Sequence, residues 1–132
     1  MKKASENAEL RAVVLADDSR PVSGVLACLS KRNIFTTVLN DPDKALDECR
    51  NNPPQLVIVE SALATMTGVR FLSELLKFSW KTATILVADE EEETIHNQTE
   101  GLGILGAIKT VDDIEGLETL LDKFLEIASA NR

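Results

Sequence analysis

The sequence predicts a doubly wound α/β fold, one parallel five-stranded sheet with helices on both faces. Five short apolar runs, Ala12–Ala16, Phe35–Leu39, Leu56–Val59, Thr84–Ala88 and Ile104–Ile108, alternate with amphipathic or polar stretches. Runs such as VVLA, LVIV and ILVA are continuously apolar, as parallel strands covered on both faces are. A chain of 132 residues, 44% of them hydrophobic, supplies one compact core and falls short of two.

Taken in order, Met1 to Glu9 reads as a flexible lead-in, and residues 10–132 as a single domain. After the first strand, Ser19 is placed to cap a helix with Pro21 near its first turn and Val22, Val25, Leu26 and Leu29 on one face. Asp41-Pro42 opens a second helix through Cys49, which Asn51-Asn52-Pro53-Pro54 stops. A third helix spans Gly68 to Phe78, with Val69, Leu72, Leu75 and Leu76 as its stripe. The fourth, roughly Glu91 to Gly101, contains Ile95 as its one clearly apolar residue and should be short or mobile. The fifth runs from about Asp113 to Ala128 with Ile114, Leu117, Leu120, Leu121, Phe124 and Leu125 at helical spacing.

Composition narrows the function. A formal net charge of −8 argues against nucleic-acid or anionic-membrane binding and leaves proteins as the expected partners. No apolar run approaches the roughly 20 residues of a membrane helix, and MKKASENAEL lacks a signal-peptide core, so a cytoplasmic location is expected. Cys28 and Cys49 fall within apolar helical patterns without a CxxC and are expected to be buried and reduced. GLGILG, Gly101 to Gly106, matches a dinucleotide fingerprint in form. It would end a helix and enter a strand, however, the reverse of what that site needs, and Gly101 reads as a helix C-cap. His96 is the one histidine, without a second metal ligand near it, and is expected at the surface. No GxSxG or P-loop is present, and with His96 isolated no nucleophile–base pair can be assembled. Trp80 is expected to be a partly covered loop aromatic.

In an open parallel sheet the functional site lies at the carboxyl ends of the strands. There the sequence puts Asp17 and Asp18 after the first strand, Glu60 after the third, Ala88 after the fourth and Lys109 after the fifth.

VVLADDSR with its acidic pair, LVIVE followed eight residues later by Gly68, and AIKT with its lysine together resemble the receiver domain of two-component response regulators, over Arg11 to Ala128. The resemblance implies the flavodoxin-like strand order 2-1-3-4-5 with five helices. It also implies a pocket in which the acidic pair and a strand-end aspartate bind Mg²⁺, and the aspartate receives a phosphoryl group in a phosphorelay from a histidine kinase. In such domains a lysine pairs with the phosphoryl, a hydroxyl on the fourth strand moves to it, an aromatic on the fifth strand turns inward, and a proline follows the lysine.

Asp17, Asp18 and Lys109 keep this plan, and five other positions break it. Glu60 replaces the acceptor aspartate, and its extra methylene moves the carboxylate about 1.5 Å outward. In-line transfer loses on the order of 100-fold for a displacement of about 1 Å. Ala88 replaces the hydroxyl, Gly106 or Ala107 the aromatic, and Thr110 the proline, while Ala64 stands where proline is usual in the loop. The expectation is a degenerate pocket of Asp17, Asp18, Glu60, Ala88 and Lys109 in a noncatalytic pseudo-receiver acting by protein–protein interaction. A direct Glu60–Lys109 ion pair would mimic the phosphorylated state, with a purely structural pair as the plainer reading. No cofactor is required, although Asp17, Asp18 and Glu60 offer hard oxygen donors that suit Mg²⁺. His96, Gly106, Ala107 and Thr110 mark the expected interaction face. A signalling kinase, an output domain or a scaffold is the expected partner, and the face admits a homodimer. The rival reading is a working receiver that takes a phosphoryl group with Mg²⁺ on Asp17 or Asp18.

Overall fold

The structure, a computed structural model, describes residues 10–17, 21–63 and 65–130. The expectations for the lead-in Met1 to Glu9, for Asp18, for Ser19 as a cap and for Ala64 lie outside these residues.

The elements follow one another as β1 (Leu10–Leu15), α1 (Ser23–Lys31), β2 (Ile34–Leu39), α2 (Pro42–Asn51), β3 (Leu56–Glu60), α3 (Gly68–Leu76), β4 (Ala83–Val87), α4 (Glu92–Gln98), β5 (Gly106–Ile108) and α5 (Ile114–Ala130). All strand pairs are parallel, in the order β2-β1-β3-β4-β5. This is the predicted doubly wound sheet with five helices.

The continuous apolar runs divide between two cores by the period of two along a strand. Ala12, Val14, Leu56, Ile58, Ile85 and Val87 pack with Val25, Cys28 and Leu29 of α1 and with Leu117, Leu121 and Phe124 of α5. Val13, Leu15, Val57, Val59 and Leu86 pack with Ala45 and Cys49 of α2 and with Phe71, Leu72 and Leu75 of α3. Both cysteines are free and buried. Burial raises the Cys28 thiol pKa and pushes that of Cys49 up to about 11, which leaves both as unreactive small hydrophobes.

Local chemistry sets the helix starts. Asp41 accepts the N–H of Asp43 at 2.9 Å with Pro42 in the first position of α2, and Thr67 Oγ1 accepts the N–H of Arg70 at 3.1 Å at the start of α3. Helix α1 begins later than the sequence suggests, with Val22 at its N-cap and no side-chain cap bond. Helix α4 is short, as expected, with seven residues and none buried. Beyond it Gly101 (φ 86°) and Gly103 (φ 63°) reverse the chain toward β5. Gly101 therefore serves this turn, because the cap of α4 is Thr99, whose hydroxyl and N–H both bond to the carbonyl of Ile95. Among the described residues no helix is long and apolar enough to cross a membrane.

Candidate functional site at the carboxyl ends of the strands

β3 carries its alternation through to its last residue, so Glu60 points to the same side as Leu56 and Ile58. The side chain is only 4% exposed. Its Oε1 accepts the backbone N–H of Asp17 at 3.1 Å, joining the ends of β3 and β1. Its Oε2 is buried without a hydrogen-bond partner among the described residues. A buried carboxylate oxygen left in that condition costs about 1–3 kcal/mol or more, so it is an open valence that a cation or donor would satisfy.

The loop after β3 is held tightly. Ser61 donates its N–H to the Val87 carbonyl at 2.8 Å and accepts the Gly68 N–H at 2.9 Å, while Ala62 bridges to Thr67. Gly68 is fixed by contact: a Cβ there would collide with the Glu60 carbonyl oxygen and lie 2.9 Å from the Ser61 Cα. The glycine eight residues after the carboxylate thus allows the start of α3 to approach the backbone that carries Glu60.

The other expected pocket residues surround this point unevenly. Asp17 is exposed at the end of β1, and Ala88, 2% exposed, closes the end of β4 beside β3. Lys109 is exposed and makes no ion pair among the described residues. The Glu60–Lys109 pair expected from the sequence does not form. A backbone donor on the neighbouring strand, the Asp17 N–H, captures the glutamate inside the sheet edge, whereas a strongly hydrated ammonium group is more stable in solvent. No peptide bond among the described residues is cis, so the Lys109–Thr110 bond is trans. Thr110 Oγ1 accepts the Asp112 N–H at 3.0 Å and starts the turn into α5.

Between α4 and β5 lies an open groove of about 850 Å³. Ala88, Ile95, Ile104, Ala107 and Ile108 give it an apolar floor, and Glu90, Glu92, Glu93 and Asp113 an acidic rim, with His96 and Lys109 among the lining side chains. Ala107 faces this space without the ring expected in ordinary receivers, whereas a Cβ at Gly106 would point instead into the Leu120 side chain of α5. Thr110 does not line it, but His96, Gly106 and Ala107 do, and His96 is exposed. The rim residues Glu90, Glu92 and Glu93 and the floor residue Ile104 were not singled out from the sequence as parts of one surface. The signal was there in the shortness of α4, which leaves β5 partly uncovered.

No protein-family model matches the sequence, and neither does any curated protein. Solved structures do. The receiver domain protein from Methanospirillum hungatei superposes with a TM-score of 0.78 at 18% identity, over 93% of this chain and 99% of that one. Chemotaxis protein CheY4 of Vibrio cholerae gives 0.77 at 17% identity, over 89% and 99%. The non-phosphorylated HemR receiver domain from Leptospira biflexa gives 0.76 at 14%, over 88% and 94%. The chain has the receiver-domain fold, with the strand order expected from the sequence.

Proposed function

We propose that this chain is a receiver-like signalling module that works by binding another protein and does not accept a phosphoryl group on β3. The observation that carries the reading is Glu60. At the acceptor position stands a longer carboxylate, almost entirely buried, with one oxygen committed to the Asp17 N–H. An in-line attack needs an exposed oxygen about 3–3.5 Å from phosphorus, and this side chain is turned away from solvent. The groups that would respond to a phosphoryl are absent as well. Ala88 has no hydroxyl, Gly106 and Ala107 have no ring, and Lys109 stands apart from Glu60.

Asp17, Asp18 and Glu60 would hold Mg²⁺ if the module binds it. The donor type fits a hard cation, and the unpartnered Glu60 Oε2 is the specific reason to expect one. The ion would neutralise clustered carboxylates. Among the described residues alone no three acidic, histidine or cysteine side chains gather as a metal group, so the ion is optional to this reading.

The groove between α4 and β5 is the surface offered to the partner, a kinase, output domain or scaffold presenting an apolar side chain beside basic ones. Its apolar floor and acidic rim match that chemistry, in a protein of net charge −8. Incubation with acetyl phosphate and Mg²⁺, followed by intact-mass measurement and hydroxylamine treatment, tests the proposal. An unchanged mass supports it. A hydroxylamine-labile phosphoryl adduct overturns it, and mapping that adduct to Asp17 or Asp18 would establish the rival acceptor.

A further inference from the structure

The floor of the groove between α4 and β5 is a corner of the second core that the chain leaves unfilled. Ala107 stands opposite Leu86 in the β4–β5 ladder, and Ala88 follows two residues later on the same face of β4. Each strand thus contributes only a methyl group here. Ile95 of α4 and Ile104 before β5 pack against the same core, but no residue of α4 is buried over it. The result is the open space of about 850 Å³ with an apolar base.

No large side chain of this protein is placed to occupy it. The sequence has four phenylalanines, one tryptophan and no tyrosine. Phe71 and Phe124 are buried in the two cores, Phe78 lies under the Arg50 guanidinium at 4.6 Å, and Phe35 is on β2 at the opposite edge of the sheet. Trp80 is exposed in the turn between α3 and β4, at the amino ends of the strands.

We propose that the partner supplies the missing ring: an aromatic side chain seated over Ala88 and Ala107, carried in a segment with lysine or arginine on both sides of it. The inference deepens the protein-binding reading above and rests on it. A ring suits the space because it buries about 150–250 Å² with only two rotatable bonds to fix, and its face can lie on a floor made of methyl groups.

Charge sets what flanks the ring. Glu90, Glu92 and Glu93 are exposed at the start of α4 and enter no ion pair among the described residues. Across the groove stands Asp113, with one oxygen given to the Gly116 N–H at 3.1 Å. Four carboxylates on two elements outweigh the single Lys109 ammonium that also lines the space. Cations on both sides of the ring meet both rims, which a free aromatic amine with one charge does not.

The probe is the synthetic peptide amide Lys-Arg-Trp-Arg-Lys, titrated to millimolar concentration into the full chain and followed by amide and methyl NMR. Shifts centred on Ala88, Ile95, Ile104 and Ala107 are expected. Alanine in place of the peptide's tryptophan should weaken binding more than about tenfold, and leucine should weaken it measurably. Ala107→Phe, which fills the floor from within, should abolish these shifts. Glu92→Lys with Glu93→Lys, both at exposed positions, should weaken binding about fivefold or more without lowering the melting temperature. No binding at millimolar peptide overturns the proposal. So do equal binding of the leucine peptide or of tryptamine, shifts centred elsewhere, or affinity indifferent to both variants. Such a failure leaves the loss of phosphoryl acceptance untouched, since that stands or falls with the acetyl phosphate experiment.

Discussion

Replacing Gly68 by alanine should destabilise the fold and disturb the Glu60 carboxylate together. The added Cβ would meet the Glu60 carbonyl oxygen, with the Glu60 carbonyl carbon and the Ser61 Cα both 2.9 Å away. All three atoms are backbone, and the strand they belong to is held by β4 through the Ser61–Val87 hydrogen bond, so none can swing aside as a side chain would. Overpacking of this kind costs about 1–3 kcal/mol, and the upper part of that range applies here. Alanine regains up to roughly 1 kcal/mol in helix propensity, less at a first helical position. The net loss is about 2 kcal/mol, or roughly 6–10 °C in Tm for a domain of this length. Urea titration gives the free energy, and an amide NMR spectrum reports on the Asp17 N–H, whose partner is Glu60 Oε1. Gly101→Ala is the comparison, since it meets no atom within 4 Å and carries only the strain of a positive φ. A Gly68→Ala protein as stable as the parent, with the Asp17 amide resonance unmoved, would refute the contact argument.

Lys109→Met should change stability by less than about 0.5 kcal/mol, because the side chain is exposed and makes no ion pair among the described residues; a larger loss in urea titration would mean that the lysine holds the pocket after all. The buried Cys49 thiol should make stability fall as pH rises from about 8.5 to 11, since the unfolded chain releases that proton first and the folded chain retains it. The urea midpoint of the parent should therefore drop more steeply over that window than that of Cys49→Ala, and parallel curves would contradict the assignment. Arg32 bonds to the Cys28 carbonyl at 3.3 Å and to Asp122 at 3.1 Å, tying α1 to α5 with a side chain 14% exposed. Arg32→Met should cost about 1 kcal/mol by chemical denaturation, and an unchanged midpoint would assign the pair no stabilising role.

The sheet and the identity of its strand-end residues were legible because they rest on short-range pattern. A strand buried on both faces shows itself in every residue, and the carboxyl end of each run names the residue that stands there. What the sequence withheld depends on neighbours. Phe35 and Val38 belong to an apolar run like the others, and only the strand order puts them on an open edge. Trp80, expected to be partly covered, is 72% exposed, with the Lys81 ammonium 5.3 Å from the ring centroid and no core against it. The ion pair expected between Glu60 and Lys109 failed for a related reason. Sequence matches charges to charges, but the donor that Glu60 binds is the backbone amide of Asp17 just past β1, which no residue type announces. Helix α1 likewise starts on Val22 without a side-chain cap, so its boundary is set by packing of Val25 and Leu29 against the sheet.

The central claim is that the receiver-domain fold is kept while the phosphoryl switch is lost at Glu60. Amide NMR spectra recorded before and after Mg²⁺, and then after beryllofluoride, which caps the acceptor aspartate of receivers, address it most directly. Changes with Mg²⁺ confined to the neighbourhood of Asp17 and Glu60, or none, followed by no response to beryllofluoride, are the predicted result. Beryllofluoride-dependent shifts spreading from Glu60 through Ala88 to Lys109 and α4 would show a working switch and contradict it.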